Sequence, residues 1–124
     1  MVCIAGDGGF MYNIAGAVDR RPRARSTSVV VLFNDEAYGN VARDLDESWG
    51  GTHGASVTNP DFMKLADAYG VVGMRGDQSR PRSAISSARR SGMDRPVLIE
   101  VRVGRMARPA FFAPMKAPAK YQKR

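Results

Sequence analysis

A parallel α/β sheet with helices on its faces is the fold class this sequence predicts, on three observations. Val29 to Phe33 and Val97 to Val101 are continuous apolar runs rich in β-branched residues, the pattern of strands covered on both faces. Between them, Phe62, Leu65, Ala66 and Tyr69 recur at helical spacing. Short strands alternating with helices build partial parallel sheets. The 124 residues, 44% of them hydrophobic, suffice for one small domain with a modest core.

Taken in order, Val2-Cys3-Ile4-Ala5 reads as a short buried strand. Gly6-Asp7-Gly8-Gly9 follows as a turn where backbone can approach a ligand closely. Phe10 to Val18 could begin a helix, whereas residues 19–28 have no apolar periodicity. After strand 29–33, Asn34 to Gly39 is a polar loop, and Asp44 to Gly54 reads as a charged, then glycine-rich surface loop. Asn59-Pro60 predicts a helix start, with Asn as the N-cap, Pro at the first helical position and Gly70 closing the helix. Val71 to Met74 reads as a strand. Ser79 is expected to cap a helix carrying Ala84, Ile85 and Ala88 and stopped by Gly92. Val97 to Val101 is the last strand, and residues 105–124 form a basic tail after a domain spanning 1–104.

The formal charge of +7 and pI near 10.2 suggest a polyanion partner until the charge is located. Segments 19–25 and 105–124 hold ten of the 19 Lys and Arg and one of the 12 acids, leaving the body near −2. Nucleic-acid binding is therefore not expected of the fold itself. Cys3 is the sole cysteine, which excludes an internal disulfide, fits a reducing cytoplasm and reads as a core residue. The sequence has no signal-peptide pattern and no membrane-length apolar segment. The only histidine, His53, reads as a surface-loop residue, and Trp49 as a candidate subunit contact.

The chemistry is concentrated after two strands. Asp7 follows strand 2–5, and Asn34-Asp35 follows strand 29–33. Ligands of open parallel sheets bind outside the carboxyl ends of strands. If these strands are neighbours, hard oxygen donors from both loops could hold magnesium or calcium against a phosphate. Gly8 and Gly9 could then turn backbone N–H groups toward that phosphate. The bland alternative is a tight turn carrying a surface aspartate. The dinucleotide fingerprint fails because Met11 stands where its third glycine belongs, and there is no P-loop Lys-Ser/Thr.

Gly6-Asp7-Gly8-Gly9-Phe10-Met11-Tyr12-Asn13, Val29 to Asp35, and Ala37-Tyr38-Gly39-Asn40-Val41 closely resemble the C-terminal cofactor domain of thiamine-diphosphate enzymes, in the acetolactate synthase and benzoylformate decarboxylase group. Thr58 to Phe62 and Pro96 to Val101 match that domain's later helix and last strand. The resemblance implies thiamine diphosphate and Mg2+ as cofactors. It implies Asp7, Asp35 and the Ala37 carbonyl as metal ligands, with Asn34 as an alternative if the loop register shifts by one. Gly6, Gly8 and Gly9 would lie at the diphosphate, and Tyr38 and Gly39 along the cofactor. The intact family acts on 2-keto acids, making or breaking the bond beside the carbonyl, as a homo-oligomer.

The sequence departs from the family in two respects. Family members carry several hundred residues upstream, including the domain whose glutamate activates the aminopyrimidine and the bulky residue that props the bent cofactor. This chain is therefore expected to bind cofactor but to be inactive by itself. Residues 15–28 also read as the family's helix translated out of frame, which predicts compensating frameshifts that resequencing would reveal. The alternatives are a non-catalytic truncated remnant and a basic polyanion-binding module.

Overall fold

The structure, a computed structural model, describes residues 1–14, 28–76, 86 and 95–105. Its elements are β1 (Val2–Gly6), α1 (Asp7–Tyr12), β2 (Val29–Asn34), α2 (Gly39–Trp49), α3 (Phe62–Ala68), β3 (Val72–Gly76) and β4 (Val97–Arg102). The strands form one sheet in the order β1-β2-β4-β3, parallel throughout. The expected helix at 79–92, the segment 15–27 with its suspected frameshift, and tail residues 106–124 lie outside the described residues, apart from Ser86.

Period-two alternation divides the apolar strand residues between the two faces of the sheet. Val30, Leu32 and Leu98 point to the face where Phe10 of α1 and Phe62 and Ala66 of α3 are buried. The two phenylalanine rings meet edge to face, with centroids 6.0 Å apart. Val29, Val31, Val97, Ile99 and Val101 form a second buried cluster on the opposite face. Both central strands are thus buried on both sides, as their composition predicts.

Four expectations need correction. Strand β1 is not buried: Cys3 is exposed and Ile4 is 71% exposed among the described residues, because β1 pairs on one side only, with β2. Cys3 is therefore not a core residue. The segment read as a loop from Asp44 is helical as far as Trp49, with Gly50 closing α2 at φ 70°. Its charged residues suit the solvent face of a helix as well as they suit a loop, so composition could not separate the two. The N-cap of α3 is Asp61 rather than Asn59: its carboxylate accepts from the Met63 and Lys64 N–H groups at 2.9 and 3.3 Å. Those bonds hold the Asp61 carboxyl below its ordinary pKa. At the other end Tyr69 is the C-cap, and Gly70 follows it, donating to the Asp67 carbonyl. His53 and Trp49 are both exposed.

Candidate functional site

Strands β1 and β2 are neighbours in parallel register, with Gly6 opposite Phe33. The residues that follow them therefore emerge at the same edge of the sheet. There Gly6, Asp7, Gly8, Gly9, Asp35, Ala37, Tyr38 and Gly39 line one open cleft of about 320 Å³, together with Phe33, Asn40, Val41 and Arg43. Every residue singled out for a cofactor or metal from the sequence lies in this cleft, except the alternative ligand Asn34.

Asp7 is the first residue of α1 and is only 1% exposed. It is held there because Phe10, one turn on, is anchored in the core. Its Oδ1 accepts from the Gly8 N–H at 2.9 Å and its Oδ2 from the Asn59 amide at 2.5 Å. Asp35 approaches Asp7 across the cleft. Burial first, then the Asp7 charge and a hydrogen bond with Asp7, push the Asp35 carboxyl above its ordinary pKa. Two carboxylates brought together in a half-buried cleft repel unless a proton or a cation lies between them. That donor chemistry fits a hard divalent ion. Among the described residues no three His, Cys, Asp or Glu side chains gather as a metal-binding group, so a third protein ligand would be another oxygen in the cleft, for which the Ala37 carbonyl is a candidate.

The loop bearing Asp35 and Ala37 is tied down by a neighbouring segment. Tyr38 N–H donates to the Ala55 carbonyl at 2.8 Å and Val57 N–H to the Glu36 carbonyl at 2.9 Å, so Ala37 bridges antiparallel to Ser56. Glu36 adopts φ 55°, the left-handed conformation that side chains rarely take. Its N–H donates to Asn34 Oδ1 at 3.2 Å. Asn34 itself is buried and turned away from the cleft, donating to Glu100 Oε1 at 2.8 Å. Neighbouring strand residues point to opposite faces; Asn34 continues the Val30–Leu32 face, while Asp35 faces the cleft. The structure thus brings Asp35 to the cleft and leaves its sequence neighbour Asn34 outside the lining.

Two glycines permit close approach. A Cβ on Gly8 would lie 2.6 Å from the Tyr38 ring, and one on Gly39 would collide with the Asp35 carboxylate. Tyr38 in turn stacks on Tyr12, with centroids 6.4 Å apart and hydroxyls 3.2 Å apart. That hydrogen bond holds the Tyr38 phenol above its ordinary pKa.

Two contributors were not legible as such. Arg43 is buried, lines the cleft and donates to Asn40 at 3.0 Å, while its Nε has no partner among the described residues. The other is Asn59, whose Asn-Pro context resembles a helix cap. The available signal was Asp61, an equally good cap two residues later.

The family model described as "Thiamine pyrophosphate enzyme, C-terminal TPP binding domain" matches residues 1–101. The chain belongs to this family. It is 29% identical to the acetolactate synthase of Bacillus subtilis over 105 residues, 83% of this chain and 18% of that protein. It is 34% identical to the acetolactate synthase isozyme 3 large subunit of Escherichia coli over 77 residues, 60% of this chain and 13% of that protein. Among solved structures, benzoylformate decarboxylase from Polynucleobacter necessarius shares the fold at TM-score 0.71 and 21% identity, over 87% of this chain and 20% of that one. The thiamine diphosphate-dependent 4-hydroxybenzoylformate decarboxylase of Rhodococcus jostii RHA1 aligns at TM-score 0.68 and 30% identity, over 83% and 19%. The chain thus spans about a fifth or less of the length of these relatives. No helix among the described residues is long and apolar enough to cross a membrane.

Proposed function

We propose that this chain binds the diphosphate of thiamine diphosphate through Mg2+, as the metal half of a cofactor site in an enzyme acting on 2-keto acids. The observation that carries this reading is the Asp7–Asp35 pair facing across a glycine-lined cleft at the ends of adjacent parallel strands. In this reading Asp7 and Asp35 supply carboxylate oxygens and Ala37 its carbonyl. Gly6, Gly8 and Gly9 keep the wall low beside the diphosphate, and Tyr38 and Gly39 line its flank. The Gly8 N–H is already engaged by Asp7. Gly8 therefore contributes close approach, and Gly9, with open space at its Cβ position, offers the less obstructed wall.

When bound, the cofactor supplies an electron sink for bond making or breaking beside a carbonyl. The chain's own residues in this cleft bind and orient the cofactor. The acetolactate synthase and benzoylformate decarboxylase relatives support a 2-keto acid as substrate; the homo-oligomeric assembly and the cytoplasmic location are part of the same reading and rest on the family resemblance. Calorimetric titration of the folded chain with thiamine diphosphate, with and without Mg2+, tests the reading. Binding that requires Mg2+ is expected; a folded protein that takes up neither would sink it.

A further inference from the structure

A chain of oriented amides runs from the central strand β4 to the candidate metal site. It begins at Glu100, a strand carboxylate only 2% exposed in the otherwise apolar run Val97 to Val101. Arg75 and Arg102 flank it, with Nε atoms 3.4 and 3.5 Å from its two oxygens. A buried carboxylate is acceptor-only, so the Asn34 amide must present Nδ2 to it, as it does at 2.8 Å. That choice turns Asn34 Oδ1 the other way, toward Asn59. Asn59 must then present Nδ2 as well, and it does so to Asn34 Oδ1 at 3.0 Å. The same nitrogen reaches Asp7 Oδ2 at 2.5 Å. Flipping Asn59 would set its oxygen against two acceptors at once, so its orientation is determined by chemistry.

We propose that Asn59 is a positioning residue for the metal site, with Glu100 as the distant anchor that sets its polarity through Asn34. The inference rests on the reading of Asp7 as a metal ligand. Asn59 Nδ2 has two N–H groups and both are used, one on each acceptor. The bond to Asp7 is charge-assisted and short, which fixes the carboxylate's rotation. With the Gly8 N–H on Oδ1 and Asn59 on Oδ2, the Asp7 carboxylate is held against rotation. Asn59 is carried to this point by the backbone bonds that tie residues 55 and 57 to the Asp35 loop, so one segment supports both carboxylates.

The test measures Mg2+ affinity calorimetrically at saturating thiamine diphosphate, and the Mn2+ electron paramagnetic resonance line shape in the same complex. Asn59→Ala should weaken the metal about 10–100-fold, the range for partners that orient metal ligands, and change the Mn2+ line shape. Asp61→Ala is the control. It removes the α3 cap in the same segment without touching Asp7, and should leave metal affinity and line shape unchanged. If Asn59→Ala does not fold, Asn59→Leu, which keeps the volume and removes both donors, carries the same expectation. Wild-type metal affinity in a folded Asn59 variant overturns the inference while leaving the cofactor reading intact, as does an equal loss in Asp61→Ala. Failure of the wild-type chain to bind metal overturns both.

Discussion

Strands β1 and β2 lie side by side, and each is followed by an aspartate that enters the same cleft, yet they are supported in opposite ways. Strand β2 is central, with Val29 to Leu32 all buried. Strand β1 is an edge among the described residues and leaves Cys3 and Ile4 exposed. Asp35 therefore stands on a strand fixed by hydrophobic burial. Asp7 stands on a strand with little burial of its own and is placed by Phe10 in the core and by hydrogen bonds from Gly8 and Asn59. A site can thus be half core-supported and half supported by a polar network, and the two halves should fail differently.

The largest expected effect tests the core half. Leu32→Ala and Ile99→Ala, both fully buried, should each lower stability by about 2–5 kcal/mol. Ile4→Ala on the edge strand should change it by less than about 0.5 kcal/mol. Urea unfolding measures all three, and a loss at Ile4 matching that at Ile99 would erase the contrast between the strands.

Next comes the site. Asp7→Ala and Asp35→Ala should each weaken Mg2+-dependent cofactor binding beyond the ~100-fold upper range for outer partners of metal ligands. Retained affinity in either, measured by calorimetry, removes that residue from the ligand set. Between the adjacent glycines the contrast is smaller. Gly8→Ala must displace the Tyr38 ring and should lower the melting temperature, whereas Gly9→Ala meets open space in α1. The latter should be neutral or stabilising by up to about 1 kcal/mol, and should weaken cofactor binding selectively if Gly9 walls the diphosphate.

The gentlest probe is pH. In the metal-free protein, the folded pKa of Asp35 lies above its ordinary value of 3.8. The native state then holds the proton more tightly than the unfolded chain. The resulting stability is complete below pH 3.8 and declines as pH rises through the raised folded value. Asp35→Asn should abolish this component, and Mg2+ at neutral pH should restore stability to the wild type alone. A wild-type pH profile identical to that of Asp35→Asn would separate Asp35 from Asp7.

Much of this was legible because burial writes a simple pattern. Val29 to Phe33 and Val97 to Val101 could be read as central strands because both faces of each had to be apolar. The Gly6-Asp7-Gly8 segment and the Asn34-Asp35 pair could be placed at strand ends for the same reason, although the turn expected at Gly6 to Gly9 is the start of α1, which begins at Asp7 and not at Phe10. Helix α2 was missed because residues 44–49 are charged and polar whether they coil or wind. The α3 cap was misplaced because Asn59 and Asp61 are equally competent caps, and only the three-dimensional structure shows that Asn59 is engaged elsewhere.

By itself, then, the sequence determined the strand cores, the parallel α/β class and which residues would gather at the cleft, because these follow from local pattern and from the family's motifs. The tertiary structure alone decided that β1 is an edge among the described residues, that Asn34 turns to Glu100 while Asp35 faces Asp7, and that Asn59 bridges Asn34 and Asp7. Those outcomes depend on contacts between segments as far apart as Asn34 and Glu100, and no local preference encodes which acceptor an amide will meet.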